Sequence, residues 1–209
     1  MLQSPRGGRT VESVMAEIGP EMSHRWGERF VPAGLPWPPA KITLLALKEE
    51  KRLEVWTARG GQWAHVRDYA VKAASGGSGP KLREGDRQVP EGVYRIAGLN
   101  PNSSYHLSMK LNYPSEADQE RARLDGRTNL GGDIFIHGRA GSVGCLAMGD
   151  VAIEELFVLV RSAGADNVQV ILVPHDWRDG RPFVRPAESP AWVDELYAEL
   201  GREVAAYGR

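Results

Sequence analysis

Asp133-Ile-Phe-Ile-His-Gly-Arg-Ala-Gly-Ser-Val-Gly-Cys-Leu-Ala-Met-Gly149 is the stretch around which the rest of the chain is organised. The apolar run Ile134-Phe135-Ile136, bounded by Gly131-Gly132 and Gly138, reads as a short buried strand. His137 and Gly138 stand where that strand ends. A glycine-rich loop follows, with Gly141 and Gly144 bracketing Ser142, and it delivers Cys145, the only cysteine in the chain. Beyond it, Asp150 is placed to cap a helix whose apolar stripe is Ile153, Leu156, Phe157 and Val160, at helical spacing.

A lone thiol on a tight loop between strand and helix, with a histidine eight residues upstream, suits nucleophilic catalysis. The thiolate is the reactive form, and a neighbouring imidazolium favours it. On this reading Cys145 alkylates faster than a free thiol below neutral pH. Glycines let the backbone turn sharply, so that the N–H groups of Gly144 and Cys145 form an oxyanion hole. A lone cysteine is more commonly a small buried hydrophobe. Here the histidine and the surrounding glycines favour the catalytic reading.

Composition bounds the alternatives. The 209 residues allow one domain with a substantial core plus an extension. Lys plus Arg number 26 and Asp plus Glu 27, so no basic surplus points to nucleic acid and no polybasic run to an anionic membrane. One cysteine excludes an intrachain disulfide and a cysteine-rich zinc site. No apolar stretch approaches transmembrane length. The start, Met1-Leu-Gln-Ser-Pro-Arg-Gly-Gly, lacks the charged-then-apolar pattern of a signal peptide.

The pattern His-Gly-x-x-x-Ser-x-Gly-Cys, from His137 to Cys145, resembles the signature of the L,D-transpeptidase catalytic domain, the YkuD-like fold. The resemblance extends to Gly79-Pro80-Lys81 with Glu84-Gly85-Asp86, to Val89-Pro90-Glu91-Gly92-Val93-Tyr94, and through Leu99-Asn100-Pro101, Ser103 to His106 and Leu111-Asn112-Tyr113-Pro114. It covers about residues 41–175. The branch it resembles has a short loop between histidine and cysteine, and includes transpeptidases besides L,D-carboxypeptidases and an amidase that frees lipoprotein from peptidoglycan. The resemblance implies a β-sandwich-like fold with a catalytic cleft. It implies peptidoglycan stem peptides as substrate, a peptidoglycan-bound lipoprotein as a further partner, and a place in the cell envelope or periplasm. It makes Cys145 the nucleophile and His137 the base, oriented by the carbonyl of Gly138, and it calls for neither metal nor organic cofactor. Two positions depart from the commoner pattern. Val143 stands where many members carry histidine, and Ala147 where they carry arginine or asparagine. Neither side chain can hydrogen-bond an incoming acceptor peptide, which favours hydrolysis over cross-linking.

In chain order, Thr10 is expected to cap a short helix with Val11, Val14, Met15 and Ile18 on one face, ended by Pro20. The four prolines between Phe30 and Pro39 predict an extended arm, with Trp26, Phe30 and Trp37 packed on the domain. Ile42 to Leu47 and Arg52 to Thr57 make a hairpin about a charged turn, Lys48-Glu-Glu-Lys51. Trp63 to Ala74 is a third strand, broken by Ser75-Gly-Gly-Ser-Gly79, and Val93 to Ile96 a fourth. Tyr105 to Tyr113 alternates, with His106, Ser108, Lys110 and Asn112 on one face. If that face lines the cleft, Lys110 binds a substrate carboxylate and His106 the peptide. Ser142 and Arg139, inside the loop, are further substrate-binding candidates. Ser115 to Leu124 reads as a charged surface helix and Val168 to Val173 as a buried strand ending at Pro174-His175-Asp176. His175 is the runner-up base. Ser189-Pro190 is expected to start a last helix with Val193, Leu196, Tyr197 and Leu200 buried.

Five strands ahead of the only long helices predict a mainly β, α+β fold, L,D-transpeptidase-like, with an antiparallel or mixed sheet and flanking helices. The domain reading is an N-terminal extension, residues 1–39, packed on a catalytic domain, residues 40–209. The functional reading is cysteine-dependent acyl transfer or hydrolysis on stem peptides. The competing readings are a non-catalytic peptidoglycan-binding module and a cytoplasmic thiol hydrolase with another substrate.

Overall fold

The structure, a computed structural model, describes residues 8–208. Strands β1 (Ile42–Leu47) and β2 (Arg52–Arg59) form the hairpin around the charged turn, and β3 (Gln62–Ala70) continues it antiparallel. A two-residue strand, β4 (Ala73–Ala74), follows. The fourth predicted strand is much longer than expected: β5 runs Gly92–Ser103. Then come β6 (His106–Leu111), β7 (Phe135–His137), β8 (Leu146–Ala147) and β9 (Val168–Val173). Together they make a mixed nine-stranded sheet in the order β3-β2-β1-β9-β5-β6-β7-β8-β4, accompanied by four α-helices.

β5 joins the two halves. Gly92 to Arg95 pair with β9, and from Ile96 onward the strand pairs with β6, with a register shift at Ile96/Gly98. Such a shift bends a strand and re-aims its side chains. The central strands β1 and β9 are parallel and, apart from Thr43 and Gln169, apolar, because both faces are covered. Ile42, Leu44, Val168 and Val170 belong to one core cluster, whereas Leu45, Leu47, Ile171 and Val173 belong to a second.

The longest helix comes first, which corrects the expectation that strands precede all long helices. α1 runs Val11–Phe30 straight through Pro20. Thr10 and Ser13 form its capping box, as the Thr10 reading required. Pro20 removes one backbone bond and in isolation costs about 3 kcal/mol. It sits on the exposed face, as does Ala16, whose carbonyl it leaves without that bond. Met22, Trp26 and Phe30, buried beyond it, offset the cost at roughly 1.5–3 kcal/mol each. The arm thus starts only after Phe30. Trp26 stacks on Trp37, and its Nε1–H donates to the Glu155 carbonyl at 2.8 Å. Glu155 lies in α3 (Asp150–Ala163), and its buried carboxylate accepts from Arg67 and Tyr69 at 2.5 Å each.

Two smaller expectations are adjusted. α2 (Glu116–Leu124) is the charged helix expected, with Ser115 as its cap. For α3 the cap is Gly149, at φ 81°, and Asp150 is the first helical residue, its carboxylate engaged elsewhere. α4 begins at Val193 and runs to Ala205, after a turn through Pro190 to Trp192, with Val193, Leu196, Tyr197 and Leu200 buried as expected.

Candidate active site

The parallel pair β7–β8 and the antiparallel pair β6–β7 bring the site together. In register, Ser108 on β6 lies opposite His137 on β7, and Asn100 on β5 lies opposite Ser108. The cleft over this part of the sheet has a volume of about 370 Å³ and is lined by His137, Cys145, Tyr105, Ser108, Phe135 and Val143, among others. His137 and Cys145 therefore face one space.

His137 is 3% exposed, and its Nδ1 lies 2.6 Å from the carbonyl oxygen of Gly138. A carbonyl only accepts, so Nδ1 carries the proton, and Nε2 of the neutral ring is left as the base. The Tyr105 ring packs on the imidazole at 4.5 Å between centroids. Gly138 admits no larger residue: a Cβ there would stand 2.6 Å from the Tyr105 carbonyl oxygen and 2.7 Å from Asp150 Oδ1. That carboxylate accepts from the Arg139 N–H at 2.8 Å, which stitches the end of β7 to the start of α3.

Cys145 is half-buried, and its thiol donates to the Asp133 carbonyl at 3.7 Å. Burial pushes the thiol up from its ordinary range and the Asp133 charge adds to this, against opposing effects of the Phe135 backbone and Lys81. Burial also lowers His137, more than the Gly138 carbonyl raises it. Both shifts favour the neutral forms. A preformed thiolate–imidazolium pair, expected from the motif, is therefore disfavoured in the free protein, because burial outweighs pairing.

The oxyanion expectation is also revised. The Gly144 N–H donates to Ser75 Oγ at 2.6 Å, so this donor is already engaged. Ser75 Oγ lies 3.3 Å from Ser142 Oγ, and Ser142 Oγ donates to the Cys145 carbonyl at 2.5 Å. The loop is held by a chain of hydroxyls reaching back to the Ser75-Gly-Gly-Ser-Gly79 segment. That segment is fastened in turn. Val89 N–H donates to the Ser75 carbonyl at 3.3 Å, and buried Lys48 donates to Gly79 O, Val89 O and Glu91 at 3.0–3.2 Å. Tyr197 completes the Glu91 carboxylate at 2.8 Å. Lys48, read as part of a charged turn, is thus a buried anchor.

The other candidates separate. Ser142 braces the loop and does not line the cleft. His106 adopts φ 74° at the start of β6, which takes it out of the strand's alternation, and its Nε2 meets Glu154 at 2.7 Å. Lys110 pairs with Asp133 at 2.8 Å, and Arg139 is exposed outside the cleft. His175 packs edge-on against Trp177 and does not line the cleft, which argues against it as the base. Val143 is 70% exposed at the cleft, but Ala147 is fully buried between β7 and β4, so it does not meet an acceptor. Sequence reasoning missed Ser75, Tyr105 and Asp133. Tyr105 lay inside the matching segment from Ser103 to His106, the only signal that could have found it.

Among the described residues no group of His, Cys, Asp and Glu side chains is arranged to hold a metal ion, and no helix is long and apolar enough to cross a membrane.

Comparison with known proteins agrees with this geometry. The chain is 34% identical over 143 residues to "Putative L,D-transpeptidase YafK" of Escherichia coli, strains K12 and O157:H7. The match takes in 66% of this chain and 56% of the relative, so the chain spans just over half the length of these proteins. Its fold is similar to the helical cell shape determining protein Pgp2 of Campylobacter jejuni, with a TM-score of 0.53 and 23% identity over 80% of this chain and 56% of that one. The model of the YkuD family, the L,D-transpeptidase catalytic domain, matches residues 42–173. The chain belongs to the L,D-transpeptidase catalytic domain family.

Proposed function

We propose that the protein is a cysteine-dependent acyltransferase or hydrolase acting on peptidoglycan stem peptides, with residues 40–209 as the catalytic unit and a place of action in the cell envelope. The observation that carries this reading is the shared cleft. His137, its tautomer set by Gly138, lines the same space as the only thiol of the chain.

Because both groups start neutral, proton transfer and attack go together. His137 Nε2 takes the thiol proton as Sγ attacks a peptide carbonyl. The Cys145 N–H is the loop donor toward the developing oxyanion, since that of Gly144 is held by Ser75. The tetrahedral species collapses as His137 returns the proton to the leaving amine, which leaves a thioester on Sγ. Water or an amine, deprotonated by His137, then releases the acyl group. Val143, aliphatic and exposed at the cleft, offers an acceptor peptide no hydrogen bond, which favours water.

Incubation with defined muropeptides, followed by mass analysis, tests this. Shortened stems or a cleaved side-chain amide should outnumber new dimers, and Cys145→Ala should give none of these products. Identical product profiles for the parent and Cys145→Ala would overturn the reading. Dominant dimer formation would overturn only the preference for water.

A further inference from the structure

Ser108 is 2% exposed, and its hydroxyl has no hydrogen-bond partner among the described residues, yet the residue lines the cleft. The hydroxyl opens onto the cleft, where it is free to bond whatever occupies it. It is also not isolated. Register places Asn100, Ser108 and His137 on one rung across β5, β6 and β7, and paired residues on adjacent strands present side chains to the same face. Asn100 accepts from the Asn102 N–H at 2.9 Å through Oδ1, which leaves its Nδ2 without a partner among the described residues. Asn102, Ser103 and Ser104 continue the lining beyond it. Among the described residues, none lining the cleft is Lys or Arg. Lys110, two residues along β6 from Ser108, is neutralised by Asp133.

We propose that Ser108 and Asn100 form the subsite for the amine side of the scissile bond, and that this subsite takes an uncharged amide rather than a free carboxylate. The inference rests on the catalytic reading above. His137 must reach the leaving nitrogen to protonate it, so the rung that continues from His137 underlies the leaving residue. The groups on that rung, one hydroxyl and one amide N–H₂, match the C=O and N–H of a peptide unit. A terminal carboxylate placed there would be desolvated with no Lys or Arg among the described lining residues to meet it. Ser108 and Asn100 thereby set substrate choice, and attack remains the work of Cys145 and His137.

The test uses a pair of stem tetrapeptides that differ only at the C-terminus, one ending in the free acid and one in the primary amide, with release of the last residue followed by mass analysis. The parent should turn over the amide about fivefold faster than the acid, the factor one net hydrogen bond supports. Ser108→Ala should lose about that factor on the amide and remove most of the preference. Its melting temperature and its rate of Cys145 alkylation should match the parent, a combination a merely structural role would not give. Asn100→Asp keeps the oxygen that bonds Asn102 and places a charge on the rung, so it should slow the acid further and widen the preference. Equal turnover of acid and amide by the parent, or an unchanged ratio in both variants, would overturn the subsite. Failure of the parent to turn over either peptide, with no acyl-enzyme on Cys145, would instead sink the catalytic reading on which it rests.

Discussion

On the Cys145 side of the cleft, the N–H of Gly144, the hydroxyls of Ser75 and Ser142 and the carbonyl of Cys145 are joined in one chain of hydrogen bonds. Across the cleft, on the His137 rung, the Ser108 hydroxyl and the Asn100 Nδ2 have no partner among the described residues. The two walls use similar residue types in opposite ways. Where polar groups satisfy one another they fix a loop, and the loop's geometry is then independent of substrate. Where strand register holds them apart, they stay open to whatever enters the cleft. Polar side chains alone therefore do not mark a binding wall.

The largest expected effect lies on the open wall. His137→Ala should reduce turnover by about 10²–10⁴-fold, the range of a lost general acid–base, with little change in the melting curve. A loss below tenfold would move the base elsewhere. On the closed wall the cost should fall on stability. Lys48→Met leaves Glu91 in the interior without its cation, and breaking such a pair costs about 3–5 kcal/mol, visible as a large fall in melting temperature. An unaltered melting temperature would show that the anchor beneath the Ser75 segment is dispensable. Ser75→Ala is the gentler version. It strips the Gly144 N–H of its partner and should cost about 1 kcal/mol, with a few-fold fall in kcat and an unchanged KM. If kcat rises instead, Ser75 competes for a donor that the reaction needs.

The smallest effect is a matter of pH, and it separates the two protonation readings. With His137 lowered and Cys145 raised, the imidazole is a free base at and above the ordinary histidine range, whereas the thiol ionises only above the ordinary thiol range. Alkylation of Cys145 in the free protein should climb steadily with rising pH and show no plateau near about pH 6. Turnover should fall off only on the acid side of the usual imidazole range, as His137 becomes protonated. A flat, fast alkylation profile on that acid side would restore the ion pair.

How much of this was legible in the sequence depended on range. The hairpin, β9, the stripe of α3 and the nearness of His137 and Cys145 along one loop follow from periodicity and local motif, so a linear reading reaches them. Pro20 misled because the rule against internal proline weighs local cost alone. The aromatic burial that outweighs it involves Trp37 and Tyr69, both distant in the chain. Ser75 was out of reach for the same reason, since its bond to Gly144 spans 69 positions. The face carrying His106, Ser108 and Lys110 was seen as a unit, with His106 and Lys110 singled out and Ser108 passed over. One left-handed backbone angle at His106 and one ion pair at Asp133 leave Ser108, the least conspicuous of the three, at the cleft.

The burial that keeps Cys145 protonated at rest also bears on its chemical durability. Peroxide and related oxidants attack the thiolate, so a neutral, half-buried thiol bonded to a carbonyl is a slow target. The chain carries no second cysteine to trap a sulfenic acid as a disulfide, and oxidation once begun has no internal rescue. On the catalytic reading proposed above, burial thus shields the thiol until a carbonyl and a base meet it together.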